Sequence, residues 1–425
     1  MFLRIFWEHK IRNCLYNFFT PMAGIYLNAV KKKKNIVVIL ICIILIYTLL
    51  KIAYFIPPYE TERIRVINYR KPIKPWYLSD KKQFIMTAED DETVVQPTSN
   101  ITKHILWRNI ASYDIDAFKS PDVLKKCKVK ACKIHIDPIY QTICDAVVFY
   151  ANGYPDESPP FRPLNQIWIF NTMESPYNND LNAWTRHHWK NQINWTMTYR
   201  LDSDINLHYG NVRKASVPES VFSFENILLK KTKLVAWVVS HCNTPVFREN
   251  YAEELSKYIP VDIYGSCGDF NATKGDTLFK QIENEYKFYL SFENSHCLDY
   301  VTEKFFNIQG RNIVAVVRGA ANYTEIYPPD TFIDVNNFKS PKELADFLLY
   351  LDKNNEAYSH YLYRKAQFKS LQKVQTLCQL CAILHQPLVK QNYHPDVYDW
   401  FTRGTCYLPS DVQLNFYQKL KRLFR

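Results

Sequence analysis

Apolar positions along the chain follow two regimes. The first is one long run, Ile36 to Ile56, 21 residues interrupted near its end by Lys51. At about 1.5 Å per residue such a run makes roughly 31 Å of helix, enough to cross a bilayer. A lysine near a helix end can snorkel to the interface, and Pro57-Pro58 ends the run. The second regime begins near residue 103. Short apolar runs recur there: "HILWRNI", "CDAVVFYA", "QIWIFN", "KLVAWVV", "VDIYG", "KFYLSF", "NIVAVV" and "TFIDV". Candidate helices separate several of them. Short apolar runs alternating with helices predict an α/β protein with parallel sheets, and no repeat of 20–50 residues is present.

Six segments follow from this pattern: 1–35 a cytoplasmic tail, 36–56 a transmembrane signal-anchor, 57–102 a Pro- and charge-rich lumenal stem, 103–230 a first domain, 231–370 a second, and 371–425 a C-terminal helical segment and tail. The orientation rests on Arg4, Lys10, Arg12 and Lys31 to Lys34 before the span, opposed only by Glu8; the positive-inside rule keeps that end cytoplasmic. A cleaved signal peptide is disfavoured, because the run starts late and no small-x-small site follows. Much of the net charge of +11 belongs to this anchor block, so nucleic-acid binding is not indicated, and the basic "QKLKRLFR" end reads as a solvated face. With 15% aromatic and 22% charged residues, the composition is neither disordered nor coiled-coil.

Two further signals place the bulk of the chain in a secretory compartment. Four glycosylation sequons follow the span, at Asn100, Asn194, Asn271 and Asn322, and all four are expected acceptors. Nine of the eleven cysteines, all but Cys14 and Cys42, also follow it, which favours disulfides. "CQLC" at Cys378 to Cys381 could be a redox or zinc half-site, but no second CxxC completes it, and structural bridging is the better reading. The odd number leaves at least one cysteine unpaired or intermolecular.

Candidate chemistry collects at the ends of predicted strands. "YKFYLSFENSHCLDYVTEKFFN" reads as a strand followed by a helix, with Glu293, Asn294, Ser295, Asp299, Tyr300, Glu303 and Lys304 at the junction. Asp299 is the expected N-cap, and a helix N-terminus favours a phosphate. Tyr300 and Lys304, four apart, should share a helix face, and Glu303 could accept hydrogen bonds from hydroxyls. The ligand predicted is anionic and hydroxylated, as a nucleotide sugar is; neither a Walker A sequence nor GxGxxG is present. In "VFRENYAEELSKYI" the spacing turns Phe247, Tyr251 and Leu255 to the sheet. Arg248 lies in the first turn beyond "KLVAWVVS", at the edge where open α/β sheets bind ligands, though a plain surface arginine fits as well. Glu174 follows the strand "QIWIFN" and could be a general base or a cap. "NWTMTYRLDSDI" brings Asp202 and Asp204 into a DxD spacing that could hold a divalent ion on a diphosphate, but two cations and a helix end already suffice, so no metal is required.

These residues resemble the α1,3/4-fucosyltransferase family, glycosyltransferase family 10. "FYLSFENSHCLDYVTEKFF" matches the family pattern FYLxFENSxxxDYxTEKxW; "WIFNTMESP", "NWTMTYRLDSDI", "VAWVVS" with Arg248, "VDIYGSCG" and "YPPDTFIDVNNFKSPKELADFLLYLDKNNEAYSHY" are similar to further family segments. The similarity covers about residues 103 to 385. It implies a GT-B arrangement of two Rossmann-like domains, GDP-fucose as donor held by the second, and a glycan acceptor. Glu174 is implied as the general base, Arg248 and Lys304 as diphosphate ligands, Asn294 and Tyr300 as lining of the donor pocket, and Glu303 as a partner of ribose or fucose. The implied reaction is inverting α1,3 transfer to a GlcNAc hydroxyl in the Golgi lumen, with no required cofactor and with manganese stimulating some members. Homodimerisation is left open. The family's pairing implies Cys127–Cys378 and Cys132–Cys381 bridges. Another GT-B transferase with a different nucleotide sugar, or an inactive glycan-binding relative, are the competing readings; joint retention of Glu174, Arg248, Glu303 and Lys304 argues for an enzyme. The chain departs from the pattern at Phe306, where the family has tryptophan, which points to altered donor or acceptor fit. Residues 388–425 are not accounted for, and Cys144, Cys242, Cys267, Cys297 and Cys406 have no assigned partners.

Overall fold

A computed structural model of the chain describes residues 85–86, 101–110, 124–125, 127–215, 224–271, 276–372, 376–386 and 393–411. The span expected at residues 36–56, the tail before it and Asn100 lie outside them. Among the described residues no helix is long and apolar enough to cross a membrane.

Strand β1 (Ile85–Met86) belongs to a small sheet taken up below. A six-stranded parallel sheet follows, built from β2 (Lys103–Arg108), β3 (Cys132–His135), β4 (Ala146–Tyr150), β5 (Ile167–Thr172), β6 (Trp195–Thr198) and β7 (Ile205–Asn206) in the order β3-β2-β4-β5-β6-β7. All six residues of β5 are buried, as a strand covered on both faces requires. The connections described here are loops and 3₁₀ turns rather than the α-helices expected. Aromatic side chains form one covering layer instead: Phe149, Trp168, Phe170, Trp184 and Trp189 are all nearly inaccessible and pack mainly edge to face.

The next strand, β8 (Gly210–Lys214), pairs with β1 and leads to α1 (Phe224–Leu228). A second, five-stranded parallel sheet then forms from β9 (Lys233–Val238), β10 (Val261–Tyr264), β11 (Tyr286–Phe292), β12 (Val314–Arg318) and β13 (Phe332–Asp334) in the order β10-β9-β11-β12-β13. Every residue of β11 and β12 is buried. Here helices do intervene: α2 (Arg248–Ser256), α3 (Asp276–Glu285), α4 (Glu303–Gln309) and α5 (Tyr323–Ile326). The order runs 2-1-3-4-5 in chain terms, so the strand order reverses between β9 and β11, the point where doubly wound sheets bind ligands.

Helices α6 (Pro341–Lys353) and α7 (Asn355–Ala366) complete this half. Ser340 caps α6 by accepting from the Glu343 N–H, Pro341 occupies the first turn, and Leu344, Ala345, Leu348 and Leu351 are buried. This is the standard pairing of N-cap, proline and apolar stripe. Strand β14 (Phe368–Gln372) returns antiparallel to β8. Helix α8 (Thr376–Leu384) then covers the other face of the first sheet, with Leu377, Leu380, Ile383 and Leu384 in one cluster with Ile105, Val148 and Ile169. Helix α9 (Val397–Thr402) lies against the aromatic layer.

Bridges Cys127–Cys378 and Cys132–Cys381, the pairing the resemblance implies, fasten α8 to the first sheet across separations of 251 and 249 residues. In the chain-entropy account a loop of that length is worth on the order of 5 kcal/mol, and the second bridge, over nearly the same loop, adds less. His385 lies near the Cys132–Cys381 sulfurs, but their joining makes this a bridge rather than a metal half-site. Cys242–Cys267 and Cys297–Cys406 are also bridged, and Cys144 is a free, buried thiol.

Phe306, the position that departs from the family pattern, is a core residue. It is 3% exposed, packs edge to face on Phe305, and a Cβ placed on Gly210 would come within 2.5 Å of its ring. Gly210 thus makes the space that lets α4 lie against β8. The expected consequence concerns packing: Phe306→Trp should overfill this contact and lower stability by about 1–3 kcal/mol, read as a reduced unfolding midpoint. An unchanged midpoint would show that Gly210 and its surroundings accommodate an indole.

Candidate active site

The carboxyl ends of the two parallel sheets face one another. On the first side, β5 ends at Thr172 and the chain turns at once. The Glu174 N–H donates to Thr172 Oγ1 at 3.2 Å, and Asn179 Nδ2 donates to the carbonyls of Glu174 and Ser175 at 2.8 and 3.0 Å. Pro176 opens a short 3₁₀ turn, Pro176–Asn178. The turn is held by the backbone and by neighbouring side chains, which leaves the half-buried Glu174 carboxylate to meet the other half of the chain: the Tyr300 hydroxyl donates to Glu174 Oε2 at 3.0 Å. Beside this contact Ser175 and Ser295 hydroxyls are 2.6 Å apart, and Asn178 Nδ2 donates to Ser295 Oγ at 2.9 Å. Three side chains therefore join the loop after β5 to the loop after β11.

That second loop, residues 293–302, is drawn closed by Glu293. This carboxylate is fully buried; Oε1 accepts from the Thr302 N–H and Oε2 from the Thr302 hydroxyl, both at 2.8 Å. Lys304 Nζ lies 3.7 Å from Glu293 Oε2 and donates to Glu303 Oε1 at 3.0 Å and to Thr302 Oγ1 at 2.9 Å. Burial pushes the Glu293 carboxyl above its usual range, with Lys304 opposing. For Lys304 burial acts downward, but Glu293 and Glu303 outweigh it and hold the ammonium above its ordinary value.

The local reading of this junction needs two corrections. Asp299 is not the N-cap of α4. It sits outside the helix in the left-handed region at φ 60°, and its Oδ2 accepts from the Leu201 N–H at 3.0 Å. Thr302 caps the helix by accepting from the Lys304 N–H. Consequently Tyr300 precedes the helix and shares no helical face with Lys304. The ring is inaccessible and packs edge to face on Tyr199, with centroids 4.8 Å apart. Burial first, and then Tyr209, Glu174 and Glu293, drive its hydroxyl well above the ordinary tyrosine value, so it stays protonated and donates.

Arg248 is not a surface residue. Phe247 adopts the left-handed conformation before α2, so Arg248, Tyr251, Ala252 and Leu255 are the buried positions and Phe247 is not among the helix's inward set. Arg248 is 3% exposed; Nη1 donates to the Phe292 carbonyl at 2.6 Å and Nη2 to the His241 carbonyl at 3.1 Å. It stands between β9 and β11, where the strand order reverses. Around it lie buried polar atoms without partners: Arg248 Nε, Asn294 Oδ1, both ring nitrogens of His296, Arg318 Nη1, and the hydroxyls of Tyr251 and Tyr323. Folded interiors leave few such atoms, and their gathering at the ends of β9, β11 and β12 marks a place built to meet polar ligand groups. Thr302 and Arg318 were not named from sequence, and Glu293 and Ser295 were named at the junction without a role; for Glu293 the available signal was a carboxylate directly after the strand Tyr286–Phe292.

The DxD spacing has a structural use. Asp202 forms a two-point ion pair with Arg200 at 2.8 and 2.7 Å and accepts from Trp400 Nε1 at 3.1 Å. Asp204 accepts from the N–H and hydroxyl of Thr196. Among the sequons, Asn271 and Asn322 are exposed, but Asn194 is 2% exposed and its Oδ1 accepts from the Trp168 N–H and from Arg162. A glycan at Asn194 has no space in this fold, so this sequon is expected to stay unused. Glycopeptide mass spectrometry of the chain expressed through a secretory pathway should find Asn271 and Asn322 occupied and Asn194 bare; full occupancy of Asn194 would contradict this packing.

An α/β protein with two parallel sheets, a carboxylate at the end of one and buried cations at the ends of the other, has the layout of a group-transfer enzyme. The chain belongs to glycosyltransferase family 10, the fucosyltransferases: residues 228–400 match "Glycosyltransferase family 10 (fucosyltransferase) C-term" and residues 100–210 match "Fucosyltransferase, N-terminal". It is 33% identical over 331 residues to glycoprotein 3-alpha-L-fucosyltransferase A of Drosophila melanogaster, covering 73% of this chain and 63% of that one. It is 34% identical to alpha-(1,3)-fucosyltransferase C of the same organism, covering 68% of this chain and 73% of the relative. A crystal structure of alpha1,3-fucosyltransferase with GDP-fucose is similar at a TM-score of 0.45 and 17% identity, over 78% of this chain and 91% of that one.

Proposed function

We propose that this protein transfers L-fucose from GDP-fucose to a GlcNAc hydroxyl of a glycan, forming an α1,3 linkage with inversion. The observation that carries the reading is the Tyr300–Glu174 hydrogen bond of 3.0 Å, which joins a carboxylate on one sheet to the loop that also carries Asn294, Glu303 and Lys304. Glu174 takes the proton from the acceptor hydroxyl as its oxygen attacks fucose C1, and GDP leaves from the opposite face through an oxocarbenium-like state. Arg248 and Lys304 offset charge on the leaving diphosphate, Asn294 lines the sugar end, and Glu303 meets a ribose or fucose hydroxyl. The protonated Tyr300 orients the Glu174 carboxylate. No step in this account needs a divalent ion, because the two side-chain cations meet the diphosphate.

In the same reading the two sheets are the halves of a GT-B enzyme, acceptor-side in 103–230 and donor-side in 231–370. Residues 36–56 anchor it as a single-pass type II protein with the catalytic part in the Golgi lumen, supported by the lysine block before the span and the four bridges after it. The detergent-solubilised chain, incubated with GDP-fucose and a panel of antenna LacNAc, LacdiNAc and N-glycan core acceptors, should give an α1,3-fucosylated product. Turnover with a different nucleotide sugar, and none with GDP-fucose, would replace this reading.

A further inference from the structure

The segment after α8 holds the catalytic loop at both ends of its reach. Residues 393–411 begin on the first sheet, where the His394 N–H donates to the Ile193 carbonyl at 2.7 Å and Lys190 pairs with Asp396 at 2.7 Å. Val397 and Phe401 of α9 enter the aromatic layer that also contains Tyr199, Cys297 and Tyr300. Arg200, buried beneath, grips the segment twice: Nη1 donates to the Trp400 carbonyl at 2.6 Å and to Thr405 Oγ1 at 2.9 Å, and its guanidinium lies 4.5 Å from the centre of the Trp400 ring.

The segment then runs antiparallel to the loop after β11. The Leu298 N–H donates to the Thr405 carbonyl at 2.8 Å and the Tyr407 N–H to the His296 carbonyl at 2.9 Å. Between these bonds lies the Cys297–Cys406 bridge. At its far end Asp411 takes two hydrogen bonds from Arg318, at 3.1 and 2.8 Å, at the carboxyl end of β12. Arg318 is 1% exposed, and removing the charged partner of so buried a cation is costly.

We propose that residues 393–411 are a positioning strap for the transfer reaction, with Cys406 and Asp411 as its working contacts. The inference rests on the fucosyltransferase reading above. The strap clamps the backbone at residues 296 and 298. Asp299 is then locked in its left-handed conformation by Leu201, and the next residue is Tyr300, whose hydroxyl meets Glu174. Five consecutive positions, 296 to 300, thus lead from the strap to the base. Displacement of a reacting group by about 1 Å can cost on the order of 100-fold in rate, so release of the clamp should be felt in catalysis and not merely in stability.

The test compares two paired substitutions in the full chain. Cys297→Ser with Cys406→Ser frees the strap. Cys132→Ser with Cys381→Ser removes a bridge at the amino-terminal end of the first sheet, away from the cleft. At a temperature below both unfolding midpoints, the strap pair should lose about 10-fold or more in kcat/KM for GDP-fucose, while the control pair, despite a lowered midpoint, stays within about two-fold of the parent. Asp411→Asn supplies a second variant should the strap pair fail to fold; because Arg318 loses its charged partner the midpoint should fall, and at a temperature below that lowered midpoint the donor KM should rise at least about three-fold. Parent-like kinetics in a folded strap pair, or in Asp411→Asn, overturn the strap. Losses in the two pairs that track midpoint alone overturn it too. A parent protein that neither binds GDP nor turns over GDP-fucose removes the functional reading, and the strap's role with it.

Discussion

Glu174→Gln should abolish measurable fucose transfer, a loss of about 100- to 10,000-fold, while donor binding survives. Glutamine has the same length and keeps an oxygen for the Tyr300 hydroxyl, so the cross-sheet contact and the turn at Ser175-Pro176 remain possible in outline. What disappears is the capacity to take a proton from the acceptor. The residues placed on the diphosphate, Arg248 and Lys304, hydrogen-bond to Phe292, His241, Thr302 and Glu303 rather than to Glu174. GDP titration calorimetry on the variant should therefore match the parent, and the defect should lie in kcat under saturating donor. Parent-like turnover would exclude Glu174 as the base. Loss of GDP affinity in parallel with turnover would instead mean that the substitution disturbs the loop after β11 through Tyr300.

The elements that proved readable from sequence are those whose environment is uniform. Strands β4, β5, β9, β11 and β12 are buried on both faces or nearly so, so their apolar runs are continuous and easily bounded. The first sheet's covering layer was not readable as such, because tryptophans and 3₁₀ turns take the place of helices and carry no 3.6-residue period. Asp299 illustrates a second limit. A carboxylate before a helix satisfies the local capping rule, yet Leu201, 98 residues away in sequence, claims it, and Thr302 caps instead. The sequon at Asn194 meets the same limit: a sequon is local, whereas burial against Trp168 and Arg162 is not. The partners of Cys297 and Arg318 are Cys406 and Asp411, beyond residues 103–385 that carried the resemblance, so no pattern tied them to the loop after β11. By contrast the placement of Glu174, Arg248 and Lys304 beyond the carboxyl ends of strands was legible, because each follows a predicted strand, at the edge where such sheets bind ligands.

Lys304→Ala should weaken donor binding by about 1.5–3 kcal/mol, the range for a hydrogen bond to a charged group, or roughly 10- to 150-fold in the donor KM. The interpretation must separate two effects, because Lys304 is also the cation nearest the buried Glu293. Leaving a buried carboxylate without its partner is destabilising by itself, so the alanine variant should show both a lowered unfolding midpoint and a raised donor KM. Adding Glu293→Gln distinguishes them. The glutamine carbonyl can still accept from the Thr302 N–H and its amide can donate to the Thr302 hydroxyl, so the loop stays closed without a buried charge. Stability should then recover in the double variant while the donor KM remains high, because the diphosphate still lacks its ammonium. Recovery of donor affinity together with stability would show that Lys304 serves Glu293 alone, and would leave Arg248 as the only assigned cation on the donor.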